Sequence, residues 1–190
     1  DTVIHRHEPV VIIGGDRVPQ LVKFLAPNDP IAGFLGAKPL KAEKSLNFTA
    51  GVTFESGPFR FTVDGYQIDI DDRIVKTEVL NSAEARAILT SPEVVAILAA
   101  RGVPGISSGQ FFINGVDTRT RGVDVVGEYT LQTGGLGTLR FNAAYSYNKT
   151  KIQSVAENPA NLTNTILFGR QARADLVKAT PRDKLVFNTD

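Results

Sequence analysis

Along two stretches of this chain, apolar and polar side chains alternate with a period of two, the mark of a strand with one apolar and one polar face. Between 112 and 150 the odd positions from Val123 are Val123, Val125, Gly127, Tyr129 and Leu131. The even ones include Asp124, Glu128 and Thr130, with Val126 the exception. After a tight glycine turn the phase is kept, Leu139, Phe141, Ala143, Tyr145 and Tyr147 alternating with Thr138, Arg140, Asn142, Ala144 and Ser146. This is a long two-faced hairpin. A second one starts at Leu46, with Leu46, Phe48, Ala50, Val52 and Phe54 on one face and Asn47, Thr49, Gly51, Thr53 and Glu55 on the other. The Ser56-Gly57-Pro58 turn is short enough for a tight hairpin, and Phe59, Phe61 and Val63 return opposite Arg60, Thr62 and Asp64. At Gly65 the apolar phase shifts to Tyr66, Ile68 and Ile70. A bulge at the glycine would shift it, and so would a strand passing from one environment to another.

Residues 81–102 change period. Asn81 can cap a helix with Glu84 reaching back from the third position. Ser91-Pro92-Glu93 starts a second helix, with serine as cap and proline in the first turn, and Gly102 ends it. Val94, Val95, Leu98 and Ala99 give that helix a narrow apolar stripe. Residues 1–45 hold little pattern: VVII suggests a short buried strand ending at Gly14 and Gly15, and Pro19 to Leu25 a short helical turn. Residues 151–182 read as polar and irregular, after which PRDKLVFNTD begins another strand. The fold class is mainly β, an antiparallel meander of long hairpins with a short helical insert around 81–102. The expected division is an irregular extracellular-type loop over 1–45, then a sheet over 46–190 carrying long outer loops at 73–109 and 151–182.

The connections alternate as the faces do. Those after Glu55 and Leu131 are tiny, and those after the second and fourth strands are long. Outer-membrane barrels segregate loop length in this way, whereas a soluble sandwich has no reason to. The longest apolar runs, VVII and VVAILAA, fall far short of the roughly 20 residues of a spanning helix, but a membrane β-strand needs only about 9 to 11. A section of a transmembrane β-barrel is the architecture this predicts.

Composition narrows the function by exclusion. The 21 basic and 20 acidic residues leave a net charge of +1, too small to argue for nucleic acid. With no cysteine there is no disulfide framework and no thiolate metal site. The chain starts DTVIHRHE, without methionine or a secretory pattern, so a processed product or a piece of a longer protein is expected.

Several phrases together resemble the barrel of TonB-dependent outer-membrane receptors. They are PLKAEKS (39–45) leading into a strand, DGYQIDI (64–70), and NGVDTRTRGVD within 111–129, followed in order by AYSYNKTKI (144–152) and TPRDKLVF (180–187). The helical insert SPEVVAILAARGVPGISSG is like an outer loop of many such receptors, and the resemblance spans about residues 35 to 190. It implies a receptor in the Gram-negative outer membrane for active uptake of a siderophore, haem, cobalamin or a carbohydrate, powered by the TonB complex through a plug. Such receptors have 22 strands, and this chain has room for four or five, with no plug and no TonB-contacting segment. The expectation is therefore a late section of the barrel, not competent for transport alone. Its apolar face would meet lipid, and Arg140, Asn142, Asp124, Glu128, Thr49 and Thr53 would face the lumen. Phe59, Phe61 and Tyr129 would sit near an interface girdle, and Gln67 and Asp69 above the membrane. Taken out of the barrel, the sheet would self-associate through strand edges or apolar faces, or cover itself with the 81–102 helices.

No residue pattern points to catalysis or to a cofactor. Gly105-Ile106-Ser107-Ser108-Gly109 matches a nucleophile-elbow string, but that motif needs a strand before the serine and a helix after it, and here the order is reversed. His5 and His7 could share a strand face for a metal, but only Glu8 is near, and a solvated terminus is the plainer reading. Asp69, Asp71 and Asp72 lack the EF-hand glycine and glutamate. Arg119 and Arg121, on one face with Asp117, suggest cross-strand ion pairing. The ligand and its contact residues stay unassigned. The alternative to a receptor barrel is a soluble all-β ligand- or carbohydrate-binding module, which would bury Leu46, Phe48, Val52 and Phe54 against a second sheet.

Overall fold

The structure is a computed structural model that describes residues 10–13, 16–19, 22–103 and 105–190. Its strands are β1 (Val10–Ile13), β2 (Asp16–Pro19), β3 (Val22–Phe24), β4 (Lys44–Ser56), β5 (Phe59–Lys76), β6 (Ser108–Gln110), β7 (Phe112–Gln132), β8 (Thr138–Val155) and β9 (Asp183–Thr189). Its helices are α1 (Pro30–Phe34), α2 (Ala83–Leu89), α3 (Pro92–Ala100) and α4 (Arg170–Lys178). Among the described residues no helix is long and apolar enough to cross a membrane. The chain divides into two compact units, passing between them at 43/44, 71/72, 116/117, 154/155 and 172/173.

The first unit, 1–43, 72–116 and 155–172, is built from connecting segments. Leu25, Ile31 and Leu35 come from the first, Leu80, Leu89, Val94, Leu98, Ile106 and Phe111 from the second, and Leu162 and Leu167 from the third. All are buried in one cluster. The long loops thus carry a core of their own, which fixes them far better than their polarity suggests. Two short sheets also form here: β1 pairs antiparallel with β2, and β3 runs parallel to β6. The helical turn expected at Pro19 to Leu25 is not found. Pro19 ends β2 and Val22–Phe24 is a strand held on β6, with Gln20 and Leu21 outside the described residues.

Helix ends follow local chemistry, with one exception. Asp29 caps α1 by accepting from the Ile31 amide at 2.9 Å and is ion-paired to Arg101, also at 2.9 Å. Ser91 caps α3 ahead of Pro92, and Gly102 follows its end at φ +62°, a left-handed conformation that favours glycine. On α3 the buried seam is Val94 and Leu98 with Ile97 partly covered, while Val95 and Ala99 point outward. The exception is α2. Its cap is Ser82, not Asn81, and accepts from the Ala85 amide at 3.1 Å. Glu84 does not reach back along the helix. The third connecting segment brings it the Asn164 amide at 3.2 Å, the Asn164 side chain at 2.7 Å and the Thr165 hydroxyl at 3.2 Å.

The second unit, 44–71, 117–154 and 173–190, is a five-stranded antiparallel sheet in the order β4-β5-β7-β8-β9. The β4–β5 pairing is unbroken, one residue against one from Lys44↔Asp71 to Ser56↔Phe59. No bulge interrupts it at Gly65. The continuous register therefore removes a bulge as the cause of the phase shift. The two-residue turn places Gly57 at φ +56°, as the first position of a type II′ turn demands. The second hairpin closes through Thr133, whose amide donates to the Gly137 carbonyl at 2.9 Å around a 3-10 turn at Gly134–Leu136. β9 pairs with β8 from Phe141↔Thr189 to Tyr147↔Asp183.

Candidate membrane face and lumen face

Pairing across the sheet turns the separate alternations into two continuous faces. In β4–β5, Phe54 lies opposite Phe61, Val52 opposite Val63 and Ala50 opposite Gly65. Tyr66 packs where a Gly122 side chain would be, so the row of Gly65 continues at Val123. The Thr120 and Thr150 hydroxyls meet at 2.8 Å on the other face, so Val123 in turn faces Tyr147. Within the belt each strand therefore gives its apolar set to the same side: the even residues of β4, the odd residues of β5 as far as Gly65, and the odd residues of β7, β8 and β9.

This face is a belt of defined height. On β7 it runs from Leu131 to Val123 and on β8 from Leu139 to Tyr147, nine residues each. At about 3.3 Å per residue and a tilt near 40°, that is about 20 Å, close to the roughly 25 Å apolar band of an outer-membrane barrel. Tyr129 stacks on Phe141 with ring centroids 6.4 Å apart, and Phe59 on Phe61 at 6.3 Å. These pairs lie toward the short turns, as the girdle reading expected for Phe59, Phe61 and Tyr129. Phe141 joins them. The belt ends level across three strands, because the row after Gly65, Val123 and Tyr147 is Gln67, Arg121 and Lys149, and the next is Asp69, Arg119 and Lys151. Arg121 Nε donates to Gln67 Oε1 at 2.7 Å, and Arg119 is ion-paired to Asp69 at 2.5 Å.

The opposite face is largely polar, with Tyr66, Ile68, Ile70 and Val126 as apolar exceptions, and its polar groups pair across strands. Thr53 meets Thr62 at 3.2 Å, and the Ser146 hydroxyl donates to Asp124 at 2.5 Å. Glu55 lies opposite Arg60, and these two with Glu128, Thr130 and Gln132 line an open cavity of about 430 Å³ beside the Gly57-Pro58 turn. Thr49, Thr53, Asp124, Glu128, Arg140 and Asn142, the expected lumen residues, share this face.

The candidate chemistry disperses. Ser107 precedes a strand, not a helix, so the elbow geometry is missing. Asp69 is engaged by Arg119 and Gln67, and among the described residues no group of three metal-ligating side chains forms. Of the residues for which cross-strand ion pairing was expected, Arg119 pairs with Asp69, and Asp117 accepts from the Ser154 hydroxyl. His5 and His7 lie outside the described residues. The soluble-module alternative also fails its own requirement: Leu46, Phe48, Val52 and Phe54 are 57, 58, 67 and 59 % exposed rather than buried under a second sheet.

A meander with one apolar and one polar face, short turns at one end and long connections at the other, is a wall of a β-barrel. The chain belongs to the TonB dependent receptor-like β-barrel family, whose model matches residues 14–190. No curated protein and no solved structure matches it. The family is one of receptors and transporters rather than enzymes, and membership implies outer-membrane transport in a Gram-negative cell.

Proposed function

We propose that this sheet is part of the wall of a complete barrel whose apolar belt meets lipid and whose polar face lines the lumen. The barrel admits a ligand bound from outside, a siderophore complex, haem, cobalamin or a carbohydrate. TonB supplies the energy by acting on a plug outside this chain, so the sheet alone transports nothing. The observation that carries this reading is the upper limit of the belt on β5, β7 and β8, where apolar side chains give way to polar or charged ones at the same row of the pairing. Water gives no reason for such a boundary, whereas a bilayer imposes one. The open edges of β4 and β9 support it, since unpaired edges beside a broad apolar face are a liability that closure removes.

Fractionation of cells producing the complete protein tests the proposal. Recovery in the outer membrane, with a gel mobility that changes on boiling, supports it, and recovery as a soluble periplasmic protein contradicts it. Ligand accumulation should stop when TonB is removed while surface binding persists.

A further inference from the structure

The two rows above the belt differ in how their charges are met. In the upper row Asp69 takes Arg119 at 2.5 Å and the Gln67 amide at 2.7 Å, so one guanidinium has its carboxylate. The lower row, Gln67–Arg121–Lys149, holds no acid. Gln67 offers Arg121 only an amide oxygen, and Lys149 stands directly across from Arg121, because Thr120 and Thr150 are opposed one position away. Lys151 adds a third cation one row up. Asp183, one row down opposite Tyr147, takes the Tyr145 hydroxyl at 2.6 Å. Like charges directly opposite on a sheet face repel each other.

We propose that Arg121 and Lys149, with Lys151 above, hold the phosphate of an anionic lipid headgroup at the border of the apolar belt. The inference rests on the barrel reading above, which points this face toward lipid. Long cationic side chains at such a border lay their stems on hydrocarbon and put their heads at phosphate depth. Val123 and Tyr147 directly below, and Phe48 across from Gln67, supply the apolar surface for the acyl chains. A free phosphate would gain only the charge, but a lipid gains both contacts.

The complete barrel is reconstituted in phosphatidylcholine vesicles, and spin-labelled phosphatidic acid is compared with spin-labelled phosphatidylcholine for the motionally restricted population. The native protein should prefer phosphatidic acid, and the Arg121→Gln/Lys149→Gln double variant should lose that preference by on the order of tenfold, from two interfacial charges. The charge-keeping Arg121→Lys/Lys149→Arg variant should retain most of it. An unchanged preference in the glutamine variant overturns the proposal, as does equal displacement of the labelled lipid by inorganic phosphate. If neither lipid is restricted by any variant, the barrel reading itself fails, a result distinct from loss of headgroup preference.

Discussion

The Tyr66 ring occupies the space that Gly122 leaves empty: a Cβ built at 122 falls onto the ring carbons and the hydroxyl. Tyr66 is the first apolar residue after the phase change at Gly65, and it lies on the polar face. The glycine across the strand is what lets a bulky ring lie close to the sheet there.

Gly122→Val should evict that ring and destabilise the barrel by about 1–3 kcal/mol, the usual cost of overpacking. The urea midpoint of the complete, detergent-solubilised barrel measures it. Adding Tyr66→Ala should recover much of the loss, because the clash disappears with the ring. Equal midpoints for Gly122→Val and the native protein would refute the contact.

A lysine on either side of β4 should separate the two faces. Val52→Lys places a charge on the belt and should cost about 2–4 kcal/mol of folding into vesicles if it lies near the midplane, whereas Thr53→Lys, one residue on, points to the other face and should cost little. Folding efficiency followed by gel mobility compares them. Equal penalties would mean the faces do not differ in environment.

Glu84 ties the start of α2 to the third connecting segment. Its carboxyl is held below the ordinary value of 4.5, chiefly by the Asn164 side chain and then by the Asn164 amide and the Thr165 and Thr163 hydroxyls. A depressed folded pKa contributes stability that is fully present above the unfolded value and lost as pH falls through the folded one. Amide exchange around 161–167 should therefore rise as pH drops below 4.5, after correction for intrinsic rates. Glu84→Gln should remove the pH dependence. A response unchanged in that variant would assign the effect elsewhere.

Ser108 is fully buried, and its hydroxyl has no hydrogen-bond partner. Ser108→Ala should leave stability unchanged or slightly raised, since it removes an unmet polar group. A loss of about 1 kcal/mol or more of unfolding free energy, read from the urea midpoint, would show that the hydroxyl is used.

The two faces were legible in the sequence because a period of two is local: each strand from Leu46 to Tyr147 shows its own apolar side. That the faces join into one belt was not, since it depends on which residue of β5 meets which of β7. At Gly65 a bulge and a change of environment leave the same string, and only the unbroken β4–β5 pairing separates them. The core of the first unit was hidden for a similar reason. Leu25, Phe111 and Leu167 come from segments far apart in the chain, and none carries a helical or strand period. At α2 the string Asn81-Ser82-Ala83-Glu84 fitted a cap one residue early, and donors from 164 and 165 then drew Glu84 away. α4 has no buried residue to betray it.

In the proposed barrel the odd positions of β7 and β8 face lipid and the even ones the lumen. Single cysteines are placed at each position from 123 to 131 and from 139 to 147, a stretch with no native cysteine, with any cysteine elsewhere in the complete barrel replaced by serine. In the reconstituted complete barrel, spin labels at odd positions should be broadened by oxygen and shielded from a water-soluble relaxant, with the reverse at even positions. Loss of that alternation, or odd positions open to water and closed to oxygen, would contradict the account.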